Sequence, residues 1–183
     1  MDLKSFDNSN FDRGASRGRE LIWMVVSALS VAGPLPGSAW RAAILRAFGA
    51  EIARGVVLKP GVRVKFPWRL SIGENSWIGE RVWIDNLAEV RIGHDACVSQ
   101  GAYLGTGNHD WTSPAFDLVT GEITIEDHCW IGAHARVAPG TLMEQGAVLG
   151  IGALGAGRLT RWTIYGAPKA VELGPRRERG ADR

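Results

Sequence analysis

The chain has 183 residues, of which 45% are hydrophobic and 22% are charged, as in soluble globular proteins. Its formal net charge of +2 is too small to indicate a nucleic-acid-binding protein, and the sequence holds no motif of that class, so no nucleic-acid partner is expected. The length suits one domain, with or without a small appendage.

An apolar run, LIWMVVSALSVAG, occupies residues 21–33. It is too short to span a bilayer. A cleaved signal peptide is disfavoured because Glu20 abuts the run and the segment before it is overlong. We expect the run to pack on the rest of the domain or to touch a membrane surface. Ser38 is a candidate N-cap for a second helix, WRAAILRAF, which Gly49 would end.

Aliphatic residues then recur at steps of six, with steps of eight between the first three groups. A period of six fits neither a helix nor a simple strand alternation. It predicts short flat strands, three to a turn, stacked into a triangular prism with the aliphatics inside. An ordinary β-sandwich would not explain fourteen positions in one register. These positions are Ile52, Leu58, Val64, Ile72, Ile78, Ile84, Ile92, Val98, Leu104, Ile125, Ile131, Val137, Met143 and Leu149.

Small residues follow most of the aliphatics four positions later and are expected to share the interior of the prism. The steps of eight predict a bulge at one corner of each turn, and a long insertion after Leu104 falls at that same corner. Beyond Leu149 the period decays. We therefore predict an N-terminal segment and helical cap at 1–50, a β-helix at 51–154 with an inserted loop at 105–122, and an exit strand with a basic tail at 155–183.

Four segments resemble the hexapeptide-repeat acyltransferases, a family with a left-handed parallel β-helix: IGENSWIGERVWI, IGHDACVSQGAYLGTGNHD, IEDHCWIGAHARVAPGT and TIYGAPKAV. Four more resemble its colanic-acid biosynthesis acetyltransferase (WcaF-like) branch, which acetylates sugars during exopolysaccharide synthesis: SFDNSNFD, LKPGVRVKFPWRLSIGENSWIGE, WIDNLAEVRIG and GNHDWTSPAF. The resemblance implies an all-β solenoid that uses acetyl-CoA as co-substrate and forms a homotrimer. It also implies a cytoplasmic protein, or one peripheral to the inner membrane face through residues 21–33.

The loop histidine, His109, is the candidate general base. Transfer of an acetyl group to a sugar hydroxyl requires removal of the hydroxyl proton, and imidazole suits that role near neutral pH. A partner on the other ring nitrogen must fix the tautomer. From the residues alone, His109 could equally be an ordinary histidine of a surface loop. The resemblance instead implies that it lies in the family's base-bearing loop. We expect direct transfer, because no nucleophilic serine or cysteine accompanies the base.

The other histidines, His94, His128 and His134, are expected to face solvent. The γ-carbonic anhydrases, which share this fold, bind zinc through two histidines five apart plus one farther upstream. The spacings here are 15, 19 and 6 residues. We therefore expect no metal site.

The acceptor site is expected around the loop and one turn before it. The resemblance implies that Asp85 and Asn86 orient the sugar, although Asp-Asn also suits a corner turn. Asn108 and Asp110 flank the base. Trp111 either stacks on a sugar ring or pins the loop through Phe116.

The donor site is implied by motif position, along a groove of the prism. Trp130, Ala133, Gly152 and Ala153 would line the pantetheine arm of acetyl-CoA. Lys169 and Arg176 would reach a CoA phosphate. Some relatives have serine where Ala133 stands, so the donor to the oxyanion stays open.

The leading hypothesis is an acetyl-CoA-dependent O-acetyltransferase acting on a sugar hydroxyl in exopolysaccharide biosynthesis. One alternative is transfer to another small hydroxyl or amine acceptor, such as an antibiotic or an amino sugar. Another is a catalytically inactive β-helix that serves as a scaffold, against which the intact GNHD argues. Cys97 and Cys129 look like small core residues, which suits a reducing compartment.

Overall fold

The computed structural model describes residues 2–172, so Arg176 and the rest of the basic tail lie outside the described residues. Two α-helices precede the strands, α1 (Arg17–Leu29) and α2 (Ser38–Ala47), and there are 3-10 helices at Leu3–Ser5 and Pro67–Arg69. The strands are β1 (Glu51–Ile52), β2 (Val57–Leu58), β3 (Arg63–Val64), β4 (Leu70–Ile72), β5 (Trp77–Ile78), β6 (Trp83–Asp85), β7 (Val90–Ile92), β8 (Cys97–Val98), β9 (Tyr103–Gly105), β10 (Gly107–His109), β11 (Leu118–Thr120), β12 (Ile123–Ile125), β13 (Trp130–Ile131), β14 (Arg136–Val137), β15 (Leu142–Met143), β16 (Val148–Leu149), β17 (Leu154–Gly155), β18 (Arg158–Leu159) and β19 (Ile164–Tyr165).

Three parallel sheets form the faces of a prism, and the chain visits them in turn. Sheet A has the order β1-β4-β7-β12-β15-β18, sheet B the order β2-β5-β8-β13-β16-β19, and sheet C the order β3-β6-β9-β14-β17. Each strand pairs with the strand one turn earlier and one turn later, so every backbone ladder runs along the prism axis. The predicted parallel β-helix of hexapeptide repeats with a helical N-terminal cap is confirmed.

The interior of the prism is built from the predicted register. All fourteen aliphatic positions are buried, at no more than 6% exposure. They stack in line within each sheet, as Ile52, Ile72 and Ile92 do in sheet A. The small residues four positions later are buried too, except for half-buried Ala88. Because each aliphatic contacts the one above and below it, the core is one continuous column.

The three corners of the prism differ in length. The A–B corner, which joins sheets A and B, and the B–C corner are short turns whose residues adopt positive φ, such as Asn75 and Gly101. The C–A corner carries the extra residues: the 3-10 helix Pro67–Arg69 in the first turn and the long insertion between β9 and β12 in the third. The predicted position of the bulges and of the loop is confirmed.

The β-helix continues beyond the predicted boundary at residue 154. Strands β17, β18 and β19 add the rest of the fifth turn and most of a sixth. The sequence period decays there because Gly155 occupies the inward position of β17, in register with Val137. Inward residues return at Leu159, which pairs with Met143, and at Tyr165. The exit segment therefore begins after Tyr165, and the predicted start at 155 is wrong.

The helices close the first turn of the prism. Helix α2 packs on β1 and β2, and α1 buries Trp23, whose indole Nε1 donates to the Val64 carbonyl at 3.0 Å. Ser38 is not the N-cap that we expected. Gly37 holds that position, and the Ser38 hydroxyl instead bonds the backbone of Leu58, at 2.8 Å from its amide nitrogen. Ser38 thus fastens α2 to the second strand.

The apolar run at 21–33 forms most of α1. At 13 residues α1 is short, and within residues 2–172 no helix has both the length and the apolar content to cross a membrane.

Candidate active site

The insertion is a hairpin that projects from the C–A corner. Strands β10 and β11 pair antiparallel, with His109 opposite Leu118. The hairpin therefore satisfies much of its own backbone hydrogen bonding. This arrangement places His109 at the end of a strand, on a stiff element rather than on a loose loop.

The imidazole of His109 is fixed in one orientation. Its Nδ1 lies 2.8 Å from the carbonyl oxygen of Phe116. A carbonyl oxygen only accepts hydrogen bonds, so Nδ1 carries the proton and Nε2 keeps its lone pair. The ring stacks on that of Phe116, with centroids 4.2 Å apart and planes at 3°. The half-buried His109 thus has the tautomer that a general base requires.

The N-terminal segment supports the hairpin. The ring of Phe6 meets the His109 ring edge-on at 5.4 Å between centroids, and the amide of Asp2 donates to the Pro114 carbonyl at 2.8 Å. Sequence reasoning missed both Phe6 and Phe116 as supports of the base. The only signal was the SFDNSNFD segment, which carries part of the family resemblance without any reactive group of its own.

The residues that flank His109 differ in how free their side chains are to contact a ligand. The Asn108 side chain is exposed, and its Oδ1 accepts from the His109 amide at 2.8 Å. Asp110 uses Oδ1 to accept from the amide and hydroxyl of Thr112, and these hydrogen bonds hold the pKa of Asp110 below its usual value. Trp111 is 76% exposed. Phe116 stacks on His109, so Trp111 does not pin the loop through Phe116 as one interpretation had it.

Asp85 lies at the C–A corner one turn before the hairpin, in a polar network. Its Oδ2 accepts from the Tyr103 hydroxyl at 3.0 Å, and Lys65 Nζ lies 3.2 Å from its Oδ1, close enough for an ion pair although not aligned as a hydrogen bond. Burial, with the neighbouring carboxylate, raises the pKa of Tyr103 to about 12. Tyr103 therefore stays a neutral donor, and Asp85 holds both Tyr103 and Lys65 at this corner.

Asn86 is not placed to contact a substrate, contrary to our expectation. Its side chain is fully buried. Its Oδ1 accepts from the amide of Phe66 at 2.9 Å, and its Nδ2 donates to the carbonyls of Phe66 and Arg69. These bonds satisfy the backbone of the preceding turn where the 3-10 helix interrupts the ladder. Asn86 is a structural corner residue.

Replacing Asn86 with alanine should lower the free energy of unfolding by about 3 kcal/mol, because it leaves buried backbone groups of Phe66 and Arg69 without partners. Denaturant titration of the two proteins measures the difference. Asn108→Ala, at an exposed asparagine, is the matched control and should change stability by less than about 0.5 kcal/mol. An Asn86→Ala protein of unchanged stability but weakened acceptor binding would restore the substrate interpretation.

A groove lies at the B–C corner, where motif position implied the donor site. A depression of about 400 Å³ runs along this corner and is lined by Trp130, Ala133, Ser99, Gln100 and Ile151, among others. The exposed indole of Trp130 is oriented by its Nε1, which donates to the Ser99 hydroxyl at 2.9 Å. Ser99 and Gln100 were not predicted from the sequence, because they belong to the previous turn and reach the groove only through strand stacking.

The remaining predicted donor residues lie in different environments. Gly152 lies at the B–C corner with positive φ, and an added Cβ there would meet open space. Ala153 is wrong as a groove residue: its side chain is 4% exposed and lies in the core column. Lys169 is exposed in the segment after β19.

The two cysteines lie in different environments. Cys129 is buried in the core, and that burial raises the pKa of its thiol. Cys97 is not the core residue that we expected. It is half-buried on the outer face of sheet B, in register with Trp77 and Trp130. It lies in the third turn, on the sheet opposite the C–A corner from which the hairpin projects.

The two parts of the candidate site therefore lie at different corners of one chain. His109 projects from the C–A corner, whereas Trp130 and Ala133 lie at the B–C corner. The whole of sheet C separates the two corners.

Comparison with known proteins identifies the family. Residues 122–153 match the family model described as hexapeptide repeat of succinyl-transferase. The chain is 37% identical over 151 residues to an Escherichia coli (strain K12) protein provisionally named colanic acid biosynthesis acetyltransferase WcaF, with 82% of this chain and 83% of that protein covered. The chain belongs to the hexapeptide-repeat acetyltransferases. As a member of this family it is an acyl-transferring enzyme, and the predicted family and enzyme class are confirmed.

Solved structures of other hexapeptide-repeat acetyltransferases share the fold. One, from Vibrio cholerae O1 biovar eltor and complexed with acetyl coenzyme A, superposes with a TM-score of 0.74 at 21% identity and covers 91% of this chain and 94% of that one. A galactoside acetyltransferase in complex with coenzyme A superposes with a TM-score of 0.72 at 15% identity, covering 91% of this chain and 87% of that chain. At such identities the likeness concerns the architecture of the prism.

Proposed function

We propose that this hexapeptide-repeat acetyltransferase transfers the acetyl group of acetyl-CoA to a hydroxyl of a sugar acceptor in exopolysaccharide assembly. The observation that carries the proposal is the His109 imidazole, held through Nδ1 by the Phe116 carbonyl so that Nε2 is free to take a proton. The name of the Escherichia coli relative supports the acceptor class. The coenzyme-bound neighbours support the donor.

In the proposed reaction, His109 Nε2 removes the proton of the acceptor hydroxyl while the hydroxyl oxygen attacks the thioester carbonyl carbon. The C–S bond then breaks, and protonated His109 returns its proton to the departing sulfur. The sugar leaves with a new ester bond and CoA leaves as the thiol. We propose direct transfer, because Cys129 is buried in the core and that burial raises the pKa of its thiol.

The donor is proposed to lie along the groove at the B–C corner. Trp130 and Ala133 would face the pantetheine arm, with Gly152 leaving room beside it. The oriented indole of Trp130 offers a flat apolar surface of fixed direction. Lys169 would approach a CoA phosphate as a cation. For the acceptor, the exposed Asn108 and Trp111 and the part-exposed Asp85 are the proposed contacts, and Asp110 mainly shapes the turn.

We propose a homotrimer with one active site at each interface. The separation of His109 and the groove on two corners of the same chain supports this arrangement. Sheet B also presents Trp77, Trp130 and Ile164 outward, each more than half exposed in the single chain. A neighbouring copy would cover this apolar face, and heterologous contacts of this kind close into rings.

The test of this function is a screen of acceptors with purified protein and acetyl-CoA, followed by mass spectrometry. A gain of one acetyl group on a sugar hydroxyl supports the proposal. Gain only on amino sugars or aminoglycosides would favour the amine-acceptor alternative. Absence of both acetyl transfer and acetyl-CoA binding would indicate a scaffold and contradict the proposal.

We also propose that the enzyme works in the cytoplasm at a membrane surface, through helix α1. Five apolar side chains (Leu21, Ile22, Met24, Val25 and Leu29) are each about half exposed or more. At 100° per residue they occupy one arc of about 160°, opposite the face that buries Trp23. The chain has no charged residue from 21 to 40, and Arg17 lies at the N-terminal edge of the apolar arc. An anionic lipid surface matches both features.

Co-flotation with vesicles of phosphatidylglycerol and phosphatidylethanolamine measures this association. We expect binding by the wild-type chain and loss of most of it for Met24→Gln/Leu29→Gln, because the exposed arc then loses its apolar contacts. Val119→Gln, at an exposed apolar residue of the hairpin, serves as the control. Equal flotation of all three proteins, or of none, would contradict the role of α1.

A further inference from the structure

Two of the histidines that we expected to face solvent singly come together at the A–B corner. The rings of His94 and His128 meet edge-to-face with centroids 4.9 Å apart, and Asp95 lies beside them. They are 34 residues apart in the chain but one turn apart in the prism, because the insertion and its hairpin separate β7–β8 from β12–β13 in sequence. This explains why histidine spacing did not reveal the cluster.

The donor atoms of this cluster fit a small cation. One ligand atom from each of His94, Asp95 and His128 lies within 4.8 Å of the others. Ligands around a tetrahedral zinc ion stand about 3.3 Å apart, given metal–ligand distances of about 2.0–2.1 Å. Side-chain movements of about 1–2 Å would therefore bring the three ligand atoms to the separations that zinc requires. All three residues are exposed, so water can complete the coordination.

Asp127 adds the feature that distinguishes a metal-binding histidine from a solvated one. Its Oδ2 lies 3.0 Å from His94 Nε2, while its Oδ1 accepts from the His94 amide at 2.9 Å. The Nδ1 of His94 makes the aligned ring contact, 2.7 Å from the Oδ2 of Asp95, so a cation bound between these two residues would replace the proton that they share. Metal-bound histidines commonly donate their second nitrogen to a carboxylate in this way, which fixes the ring and strengthens the ligand.

The backbone under the cluster is rigid. Asp95 and His128 both adopt positive φ, at 52° and 60°. The His128 amide donates to the His94 carbonyl at 3.0 Å, and the Asp95 amide donates to the Glu74 carbonyl. Trp162 lies two turns later in the prism, and its ring stacks on that of His128 with 6.4 Å between centroids. The ligand positions are thus set by the β-helix itself.

We propose that His94, Asp95 and His128 form a binding site for a divalent transition-metal cation such as Zn²⁺, with Asp127 as the positioning residue for His94. The two carboxylates give the cluster a negative charge that attracts a cation, and two imidazoles with one carboxylate suit zinc. The site joins the third and fourth turns of the prism, the two turns between which the His109 hairpin emerges. Its bound cation would fasten these turns together at the A–B corner.

The test is titration of the untagged, chelator-treated protein with Zn²⁺ by calorimetry and with Co²⁺ by visible absorption. We expect one cation to bind per chain, and the Co²⁺ absorption spectrum should be typical of a four- or five-coordinate ion. The unfolding temperature should rise by several degrees with excess Zn²⁺. His94→Ala and His128→Ala should each weaken binding by about 100-fold or more. Asp127→Asn should weaken it by about 10–100-fold, the usual effect of losing such a partner.

His134→Ala is the matched control. Like His128, His134 follows its inward aliphatic by three positions and is exposed with positive φ, so it is the counterpart of His128 in the repeat. It should bind the cation as the wild type does. Unchanged binding in both His94→Ala and His128→Ala, or equal loss in His134→Ala, would show adventitious binding and overturn the proposal.

Discussion

Replacing His109 with alanine is expected to lower the turnover number by about 10²–10⁴-fold, equivalent to about 3–5 kcal/mol of transition-state stabilisation. The variant loses the Nε2 lone pair that accepts the hydroxyl proton. The fold should persist, because the β10–β11 hairpin keeps its own backbone bonds and the core column does not include His109. Steady-state assays of acetyl transfer measure the effect, and circular dichroism checks the fold.

Two further readouts separate a general base from a structural histidine. Acetyl-CoA binding should be nearly unchanged in His109→Ala, because the groove lies at another corner. His94→Ala and His134→Ala are the histidine controls and should change turnover only modestly. Near-normal turnover in His109→Ala, or an equal loss in a control, would mean that the hairpin has a structural role and not a catalytic one.

Replacing Ala133 with tryptophan should abolish most acetyl-CoA binding and lower kcat/KM by about 10²-fold or more, a loss of about 3 kcal/mol. Ala133 is half-buried in the depression between Trp130 and Ile151, so an indole at this position fills the space proposed for the pantetheine arm. Calorimetry with acetyl-CoA measures the binding, and the transfer assay measures the catalytic loss.

The control for that substitution is Ala53→Trp. Ala53 is also half-buried, but it lies at the A–B corner, away from both parts of the site. Ala53→Trp should retain acetyl-CoA binding and turnover, which shows that an added indole on the prism surface is tolerated. If Ala133→Trp binds acetyl-CoA as well as the wild type does, the groove at the B–C corner is not the donor site.

The prism was predictable because a period of six leaves few alternatives. Fourteen aliphatics in one register fix which residues point inward, and the steps of eight fix the corner at which the chain bulges. The pattern failed where a small residue replaced an aliphatic: Gly155 holds an inward position without a side chain, so the end of the β-helix was placed too early. Parallel pairing of β17 with β14 keeps that turn in register.

The residues that support the site were less predictable, because they are neighbours in space and not in sequence. His109 was found from its loop, but Phe6 reaches it from 103 residues away. Asn86 was interpreted as a ligand contact since an asparagine at a corner suits either role, and only burial decides between them. The His94 and His128 cluster depends on the stacking of two turns across the insertion.

The central claim is that the base of one chain serves the groove of another. The most direct test mixes two inactive variants, His109→Ala and Ala133→Trp, by unfolding and refolding them together in equal amounts. With random assembly, a site is intact only when an Ala133→Trp chain supplies His109 and a His109→Ala chain supplies the groove. About one quarter of the wild-type sites should then be active, and transfer should recover to roughly that fraction. Activity no higher than that of the separate variants, in mixtures shown to contain both chains, would contradict the account.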